Sequence, residues 1–310
     1  DIYVIMQVII LFGAIFLGVR LGGMGIGYAG GLGVVLLSLG MGMFPGQIPW
    51  DVILIIMSAI AAICALQLAG GLDYLVRIAE NILRKNPKHI NYLAPTVTYF
   101  LTILAGTGHT AFSMIPVIVE VANSENIKPS VPLSIAVVAS QIGITASPVS
   151  AAVVAMSGFL EPFGVSYPTL LGICISTTFI AVMITAFIMS TFTNNDLSSD
   201  PVYQERLAAG YVAPPREKNV DFHLKPGAKK SVLIFLIGII CIVFYATAIS
   251  KNIGIIKLVI FGLNDAIVGF MMIIAAAITF FCKLDTAQLV NTSTFKSGLY
   301  ACVCVLGVAW

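Results

Sequence analysis

The sequence predicts an all-α integral membrane protein, and three observations support this fold class. Hydrophobic residues make up 59% of the 310 residues and charged residues only 10%, whereas a soluble domain carries roughly 25% charged residues. The mean hydropathy is +1.02. The few charges lie between long apolar runs, and a run of about 20 apolar residues is long enough to cross a bilayer as a helix.

The charge balance excludes one class of partner. Sixteen Lys and Arg residues stand against 14 Asp and Glu, which leaves a net charge of +2. The basic residues form no stripe of the kind that binds nucleic acid. We therefore expect a lipid bilayer, and no nucleic acid, as the surroundings of this chain.

Eight predominantly apolar runs predict the membrane helices. The first run has neither a basic region before it nor a small-residue cleavage site, so we interpret it as a retained helix rather than a signal peptide. Between the third and fourth runs, residues 71–88 place charged and apolar side chains at helical spacing, which indicates a helix along the membrane surface. The apolar runs cover residues 2–19, 24–44, 52–70, 131–160, 167–192, 231–249, 265–282 and 294–310.

Residues 91–122 predict a re-entrant helical hairpin instead of a crossing. The segment is too long for one crossing, and Gly106-Thr107-Gly108-His109-Thr110 interrupts it. Each arm has about 12 to 15 residues, with a proline inside each, and is shorter than a crossing. We expect the chain to enter and leave the membrane on the same side at this hairpin.

Lysine and arginine positions predict the orientation. Loops 71–90 and 193–230 contain four and six of these residues, whereas the turns at 45–50 and 161–166 contain none. Both basic loops are therefore expected in the cytoplasm. With the hairpin entering from that side, five crossings precede residue 193 and the N-terminus lies outside.

An odd number of crossings predicts an inverted repeat, because a second copy of the unit would be inserted upside down. Aligning residues 51–70 with residues 291–310 gives four identities, for example Cys64 with Cys304. Chance identity between Ala-rich helices is the alternative explanation. Inverted repeats with discontinuous helices are typical of secondary transporters.

Three regions follow from this interpretation. We expect residues 1–192 to form the first membrane repeat, with five crossings and the hairpin. Residues 193–230 are expected to form a cytoplasmic linker loop, and residues 231–310 the start of the inverted second repeat. The last apolar run is unfinished at Trp310, so we expect the C-terminal part of the second repeat to be missing from this sequence.

The hairpin tip is the first candidate binding site. Glycines permit a turn and a close approach of a ligand to the backbone, and hydroxyl and imidazole groups supply hydrogen-bond partners. The half-helix after the tip begins with free N–H groups, which favour an anion. A Gly-rich kink whose Thr side chains bond their own backbone is the structural alternative. The candidate residues are Gly106, Thr107, Gly108, His109, Thr110 and Ser113.

A break within run 131–160 is the second candidate site. Pro148 lacks the N–H that a helix interior needs, and the residue before a proline is disfavoured in helical conformation. An unwound segment here would direct polar side chains into a cavity, whereas a simple proline kink is the alternative. The candidate residues are Gln141, Thr145, Ser147, Pro148 and Ser150.

No Lys or Arg lies inside the first five crossings. A dianion would therefore be held by hydroxyl and N–H groups, with a coupling cation or proton as an open addition and no other cofactor expected. His109 is a candidate proton carrier or anion donor, because its reference pKa is about 6.5. A neutral histidine bonded to the backbone is the alternative.

The glycine-rich segment 22–33 has a different interpretation. Its spacing is superficially that of a nucleotide-binding loop, but no strand precedes it and its surroundings are apolar. We expect these glycines to allow close packing between helices.

The sequence resembles the anaerobic C4-dicarboxylate transporter family (DcuA/DcuB), and within it the DcuA branch most. The resemblance covers the whole chain. The stretches that carry it are Arg20–Gly27, Gln67–Leu75, Leu101–His109, Ile144–Val154, Asp200–Tyr203, Ser293–Gly298 and Leu306–Trp310.

The resemblance implies a multi-pass carrier of the bacterial inner membrane that exchanges or imports fumarate, succinate, malate and aspartate and supports fumarate respiration. It implies a fold of the ion-transporter superfamily type with further sequence after Trp310. We expect an elevator-like antiporter and no enzyme. A cation- or proton-coupled symporter is the main alternative, and a channel or an intramembrane hydrolase are further ones. A homo-oligomer and a regulatory partner at loop 193–230 are left open.

Overall fold

The computed structural model describes residues 2–211, 224–250, 254–256 and 258–310, without the side chains of His109, Thr110 and Ala151. Every regular element in these residues is a helix. The α-helices are α1 Ile2–Leu21, α2 Gly25–Val35, α3 Trp50–Leu68, α4 Gly71–Lys85, α5 Ile90–Ala105, α6 Ile115–Ser124, α7 Ser130–Gly143, α8 Ala151–Leu160, α9 Tyr167–Phe192, α10 Pro201–Ala208, α11 Ala228–Ile249, α12 Leu263–Phe281 and α13 Ser293–Val308.

Five helices in the described residues are long and apolar enough to span a bilayer: α1, α3, α9, α11 and α12. Each coincides with a predicted apolar run, so these five predictions of helix are confirmed. The chain is therefore a multi-pass membrane protein. The amphipathic segment 71–88 is also helical, as α4 and a 3₁₀ turn over Pro87–His89.

The predicted run 24–44 differs from the structure. Helix α2 continues through a π-turn at Leu36–Gly40 and then ends, so the helix is shorter than the predicted apolar run 24–44. Gly42 has a φ of 69°, a left-handed conformation that stops a helix, and two prolines follow before α3 begins. The predicted run 24–44 therefore extends beyond the C-terminal end of the helix.

The hairpin 91–122 also differs in its arms. The first arm, α5, has 16 residues and the second, α6, has only 10. A 3₁₀ segment over Gly108–Met114 occupies the start of the expected second arm. Pro116 lies in the first turn of α6 rather than inside the arm, because proline is tolerated where a helix N–H has no intrahelical partner.

Both arms contact the surface helix α4. Arg84 of α4 donates to Glu120 of α6 at 2.9 Å and to Glu80 of its own helix at 2.7 Å. The Glu120 carboxylate, more than any other group, raises the pKa of Arg84. Buried Leu83 and Ile90 share an apolar cluster with the arms, so the open ends of α5 and α6 lie on the same side.

One set of helices, called here the glycine-packed group, comprises α1, α2, α3, α11, α12 and α13. Gly27 of α2 lies against Val303 of α13, and Gly30 lies against Gly307. The residue numbers increase together along both helices, so α2 and α13 are parallel. The prediction that the glycine-rich segment 22–33 allows close packing between helices is confirmed at Gly27 and Gly30, whereas Gly22, Gly23 and Gly31 have open space around them.

Helix α3 runs antiparallel to α13 within the same group. Ile60 contacts Gly298, and Gln67 bonds Ser293 at 2.7 Å. Helix α3 is also parallel to α12, because Asp51 near the start of α3 bonds Asn264 near the start of α12. A buried apolar cluster centres on α3, α11 and α12 and also includes residues of α8 and α9.

The second set, called here the interrupted group, comprises α5, α6, α7 and α9. The Thr98 hydroxyl donates to the Ala136 carbonyl at 2.9 Å, and Ser147 reaches Ile103 further along both segments, so α5 and α7 are parallel neighbours. Buried Tyr99 of α5 bonds Thr178 of α9 at 2.7 Å. Helix α8 continues from this group and packs against α3.

The start of the predicted linker 193–230 is tied to the α6–α7 turn. The Asn126 side chain donates to Asp196 at 2.7 Å, and Lys128 pairs with Asp200 at 2.6 Å. The Lys128 ammonium holds the pKa of Asp200 below its usual value. Residues 201–208 are helical rather than a plain connector, and residues 212–223 lie outside the described part.

Candidate functional site

The hairpin tip begins where α5 ends. Gly106 has a φ of 67° and caps α5 through its N–H, which donates to the Thr102 carbonyl at 2.8 Å. This left-handed conformation favours glycine and ends the helix. A new 3₁₀ segment begins two residues later, at Gly108. The predicted interruption at 106–110 is therefore present in the backbone.

The break in run 131–160 is also present. Helix α7 ends at Gly143, a 3₁₀ turn covers Ile144–Ala146, and α8 begins at Ala151. Ser147 and Ser150 are extended, with ψ values of 128° and 131°. The backbone is unwound across four residues, which is more than a proline kink.

The two interruptions lie against each other. A Cβ added at Gly108 would lie 2.4 Å from Nε2 of Gln141, and one added at Gly106 would lie 2.8 Å from Cγ2 of Val149. Because α5 and α7 are parallel, both breaks occur at the same level of the molecule. The sequence predicted each break separately, and the structure brings them together.

A buried hydrogen bond joins the two segments. The Ser147 hydroxyl donates to the Ile103 carbonyl at 2.7 Å and accepts from the N–H of Val149 at 3.3 Å. Ser147 is fully buried. Its hydroxyl is therefore committed to holding the break against α5 in this conformation.

The remaining candidates differ in exposure. Gly108, Pro148 and Ser150 are buried, and Ser150 caps α8 by accepting from the N–H of Ala152 at 3.2 Å. Gly106 and Thr107 are half-buried at the tip. The exposed candidates are Ser113, Gln141 and Thr145. The roles proposed for the side chains of His109 and Thr110 lie outside the described residues and stay predictions.

The exposed Gln141 of α7 and the exposed Thr145 of the following 3₁₀ turn are polar, and the Thr145 hydroxyl donates to the Ile142 carbonyl at 2.7 Å. Gln141 and Thr145 are one helical turn apart, and the amide of Gln141 lies over the tip glycine Gly108. An amide N–H₂ and hydroxyl groups donate hydrogen bonds to a carboxylate without a fixed positive charge. No Lys or Arg occurs between Lys88 and Lys128 or between Lys128 and residue 192.

Two buried residues near the break were not anticipated from the sequence. The Tyr167 hydroxyl donates to the Pro148 carbonyl. The Thr102 hydroxyl is fully buried without a hydrogen-bond partner, and the Cβ and methyl group of Thr102 lie against Gly143. The sequence did contain a signal for the role of Tyr167: a helix broken at Pro148 leaves carbonyl groups that need hydrogen-bond donors.

Two cavities flank α8 beyond the break. The larger, of about 620 Å³, lies between the α8–α9 turn and the α11–α12 connection, and Ser157 and Tyr167 are among its lining residues. The smaller, of about 440 Å³, is lined by parts of α3, α8 and the start of α12. Neither cavity is lined by the hairpin tip. Among the described residues, no group of three or more His, Cys, Asp or Glu side chains is arranged to hold a metal ion.

Comparison with known proteins identifies the family. Residues 3–310 match the family described as anaerobic C4-dicarboxylate membrane transporter (DcuA_DcuB). No solved structure gives a significant match.

Several curated proteins are similar to the chain over almost its whole length. The C4-dicarboxylate transporter DcuA of Wolinella succinogenes is 64% identical over 306 residues, which cover 99% of this chain and 70% of that protein. DcuA of Escherichia coli K12 is 51% identical over 306 residues, with the same coverage. The anaerobic C4-dicarboxylate transporter DcuB of Escherichia coli O6:H1 is 34% identical over 315 residues, 98% of this chain and 70% of that protein.

These matches agree with a helical membrane protein that has few charges within its apolar runs. The family consists of membrane transporters and not enzymes, so the hydrolase alternative falls away. The chain belongs to the DcuA/DcuB family of anaerobic C4-dicarboxylate membrane transporters.

Proposed function

We propose that this protein exchanges or imports C4-dicarboxylates such as fumarate, succinate, malate and aspartate across the bacterial inner membrane. The observation that carries the proposal is the meeting of two interrupted segments, with Gly108 of the tip against Gln141 of α7. Paired breaks at one level are how many secondary transporters build a midplane site. Relatives named as C4-dicarboxylate transporters support the substrate class.

In the proposed site, the tip and the break each contribute to binding one carboxylate-bearing ligand. Gln141 offers an exposed amide donor, Thr145 lies near it with its hydroxyl donating to the Ile142 carbonyl at 2.7 Å, and Thr107 lies at the adjoining tip. Ser147, Pro148 and Ser150 shape the backbone around them. The lack of a fixed cation favours moderate affinity, so that the ligand is released on the other side, and a coupling cation or proton would offset part of its charge.

The inverted-repeat arrangement is part of this proposal, and helix packing supports it. We pair α1 with α11, α2 with α12 and α3 with α13. Under this pairing, the contact between α3 and α12 in one half corresponds to the contact between α13 and α2 in the other. Both of these helix pairs are parallel. The α1–α2 and α11–α12 hairpins correspond in the same way. Helices α3 and α13 are antiparallel, as an inverted pair requires.

An elevator-like motion is proposed for alternating access. Ser147 ties the break to α5, and Tyr99 ties α5 to α9, so the site is held within the interrupted group. That group would move as one body against the glycine-packed group. The N-terminus is placed outside, because the described basic residues near α4 and the start of α11 then lie in the cytoplasm.

Counterflow tests the transport reaction. The full-length protein is reconstituted in proteoliposomes loaded with unlabelled succinate, and uptake of labelled fumarate is measured. Antiport predicts saturable uptake of labelled fumarate, well above the uptake by vesicles that contain no succinate. Equal uptake with and without internal succinate would contradict exchange, and uptake that depends on a Na⁺ or proton gradient alone would favour the symporter.

A further inference from the structure

The carbonyl of Pro148 has an unusual position in the break. In a continuous helix, this carbonyl would accept from the N–H of Ala152 four residues later. The N–H of Ala152 donates instead to the Ser150 side chain, which caps α8. Pro148 is buried, so its carbonyl needs another donor, because an unpaired buried carbonyl is costly.

Tyr167 supplies that donor from a different helix. Its hydroxyl donates to the Pro148 carbonyl, and only 5% of the residue is exposed. Tyr167 is the first residue of α9, and the Ser166 side chain caps this helix by accepting from the N–H of Thr169 at 3.4 Å. The start of α9 is therefore fixed, and the phenol is fixed with it.

The break is consequently held on two sides by adjacent residues. The Ser147 hydroxyl anchors it to α5, which carries the hairpin tip, and the Pro148 carbonyl anchors it to α9. Both anchors act on the backbone that sets the position of Gln141 and Thr145 relative to Gly108. A change at either anchor alters the spacing between the two halves of the site.

We propose that Tyr167 is a positioning residue for the dicarboxylate site, which holds the unwound Ser147–Ser150 segment in register with the hairpin tip through the Pro148 carbonyl. This role rests on the proposed function. Tyr167 does not touch the ligand in this account. Its ring lines the 620 Å³ cavity beside α8, so replacing the tyrosine by phenylalanine keeps the cavity wall and removes only the hydroxyl.

The test compares two tyrosines with similar bonds. Tyr167→Phe is made in the full-length protein, and Tyr245→Phe is the matched control, because the Tyr245 hydroxyl also donates to a backbone carbonyl, that of Phe261 at 2.9 Å, in the glycine-packed group. Binding of labelled succinate to purified protein and the KM and maximal rate of counterflow are measured. Binding is normalised to the folded fraction, so a general loss of stability does not change the measured affinity.

We expect Tyr167→Phe to raise the succinate Kd and the counterflow KM about tenfold, and Tyr245→Phe to leave both within twofold of wild type. If the wild-type protein binds succinate and Tyr167→Phe binds it with the same Kd, the role of Tyr167 is overturned and the proposed function stays intact. A wild-type protein that binds no dicarboxylate would overturn the proposed function and this role with it.

A second measurement covers the case in which Tyr167→Phe does not accumulate in the membrane. The intact protein is prepared with 3-fluorotyrosine at position 167 or at position 245, and ¹⁹F spectra are recorded with and without saturating succinate. The role of Tyr167 predicts a shift of the signal at 167 and none at 245. A signal at 167 that succinate leaves unchanged would overturn the proposal.

Discussion

Glycines lie at the closest contacts of both helix groups, but their neighbours differ. In the glycine-packed group, a Cβ added at Gly307 would lie 1.8 Å from the carbonyl oxygen of Gly27, so backbone meets backbone. In the interrupted group, a Cβ added at Gly108 would meet the end of the Gln141 side chain at 2.4 Å. The first contact leaves no freedom, whereas the second involves a side chain that can rotate.

The hydrogen bonds differ in the same way. Helices α2 and α13 are regular where they cross, whereas α5 and α7 run side by side and end at the level of the two breaks. There, side chains donate to the carbonyls of Ile103 and Pro148. The difference teaches that one group is built to remain closed. The other is built around two helix interruptions that side chains hold together.

The largest expected effect is on the closed contact. Gly307→Ala forces α2 and α13 apart, because neither backbone can rotate away, and we expect the free energy of unfolding to fall by about 3 kcal/mol. Denaturant unfolding of the purified full-length protein in detergent measures this. Gly172→Ala in α9 is the control, since no atom lies within 4 Å of its Cβ position. Equal stability of the two variants would contradict the backbone contact.

An intermediate effect is expected from Ser147→Ala. The variant leaves the buried Ile103 carbonyl without its side-chain donor, and such a loss costs about 1–3 kcal/mol. Succinate affinity is expected to fall as well, because the break loses its anchor to α5. Unfolding and equilibrium binding are measured on the same preparation.

Ser157→Ala is the control for this variant, because the Ser157 hydroxyl is also buried but bonds the Val154 carbonyl of its own helix, at 2.9 Å. We expect unchanged succinate affinity for it. Thr107→Ala at the tip is expected to weaken binding too. A wild-type affinity in both Ser147→Ala and Thr107→Ala would remove these residues from the site.

The smallest effect on stability is expected from Gly108→Ala. The added methyl group displaces the Gln141 amide, which is the far end of a flexible side chain, so unfolding should change by no more than about 0.5 kcal/mol. Succinate affinity should nevertheless fall about tenfold, since the amide moves away from the tip. Gly158→Ala in α8, with open space around it, is the control. If Gly108→Ala strongly lowers the free energy of unfolding but leaves succinate binding intact, Gly108 serves packing and not the binding site.

Local composition was sufficient to predict most helices of this fold. The apolar runs that form α1, α3, α9, α11 and α12 were predictable because the hydropathy and length of a membrane helix depend only on the residues of that segment. The shortening of α2 was also local, at Gly42 and the prolines after it, but its apolar sequence concealed the stop. Pro116 was placed inside an arm because sequence alone does not show where the preceding 3₁₀ segment ends.

The two breaks were predictable from Gly106 and Pro148, but their contact was not. That contact depends on the parallel packing of α5 and α7, which are separated by a whole hairpin arm in sequence. Ser147 was identified correctly as a residue of the break. The bond from Ser147 to Ile103 depends on that packing. The sequence alone therefore did not show whether the Ser147 hydroxyl contacts a ligand or anchors the backbone. Tyr167 was missed because an aromatic residue at a helix start is also typical of the membrane interface.

The close crossing of α2 and α13 also bears on leakage. Where Gly27 and Gly30 lie against Val303 and Gly307, the two backbones touch without intervening side chains. A file of ions needs water or polar side chains along its path, and the groups in contact at this crossing are glycine backbone and an aliphatic valine. The α2–α13 crossing therefore presents no polar side chain to an ion at Gly27, Gly30, Val303 and Gly307.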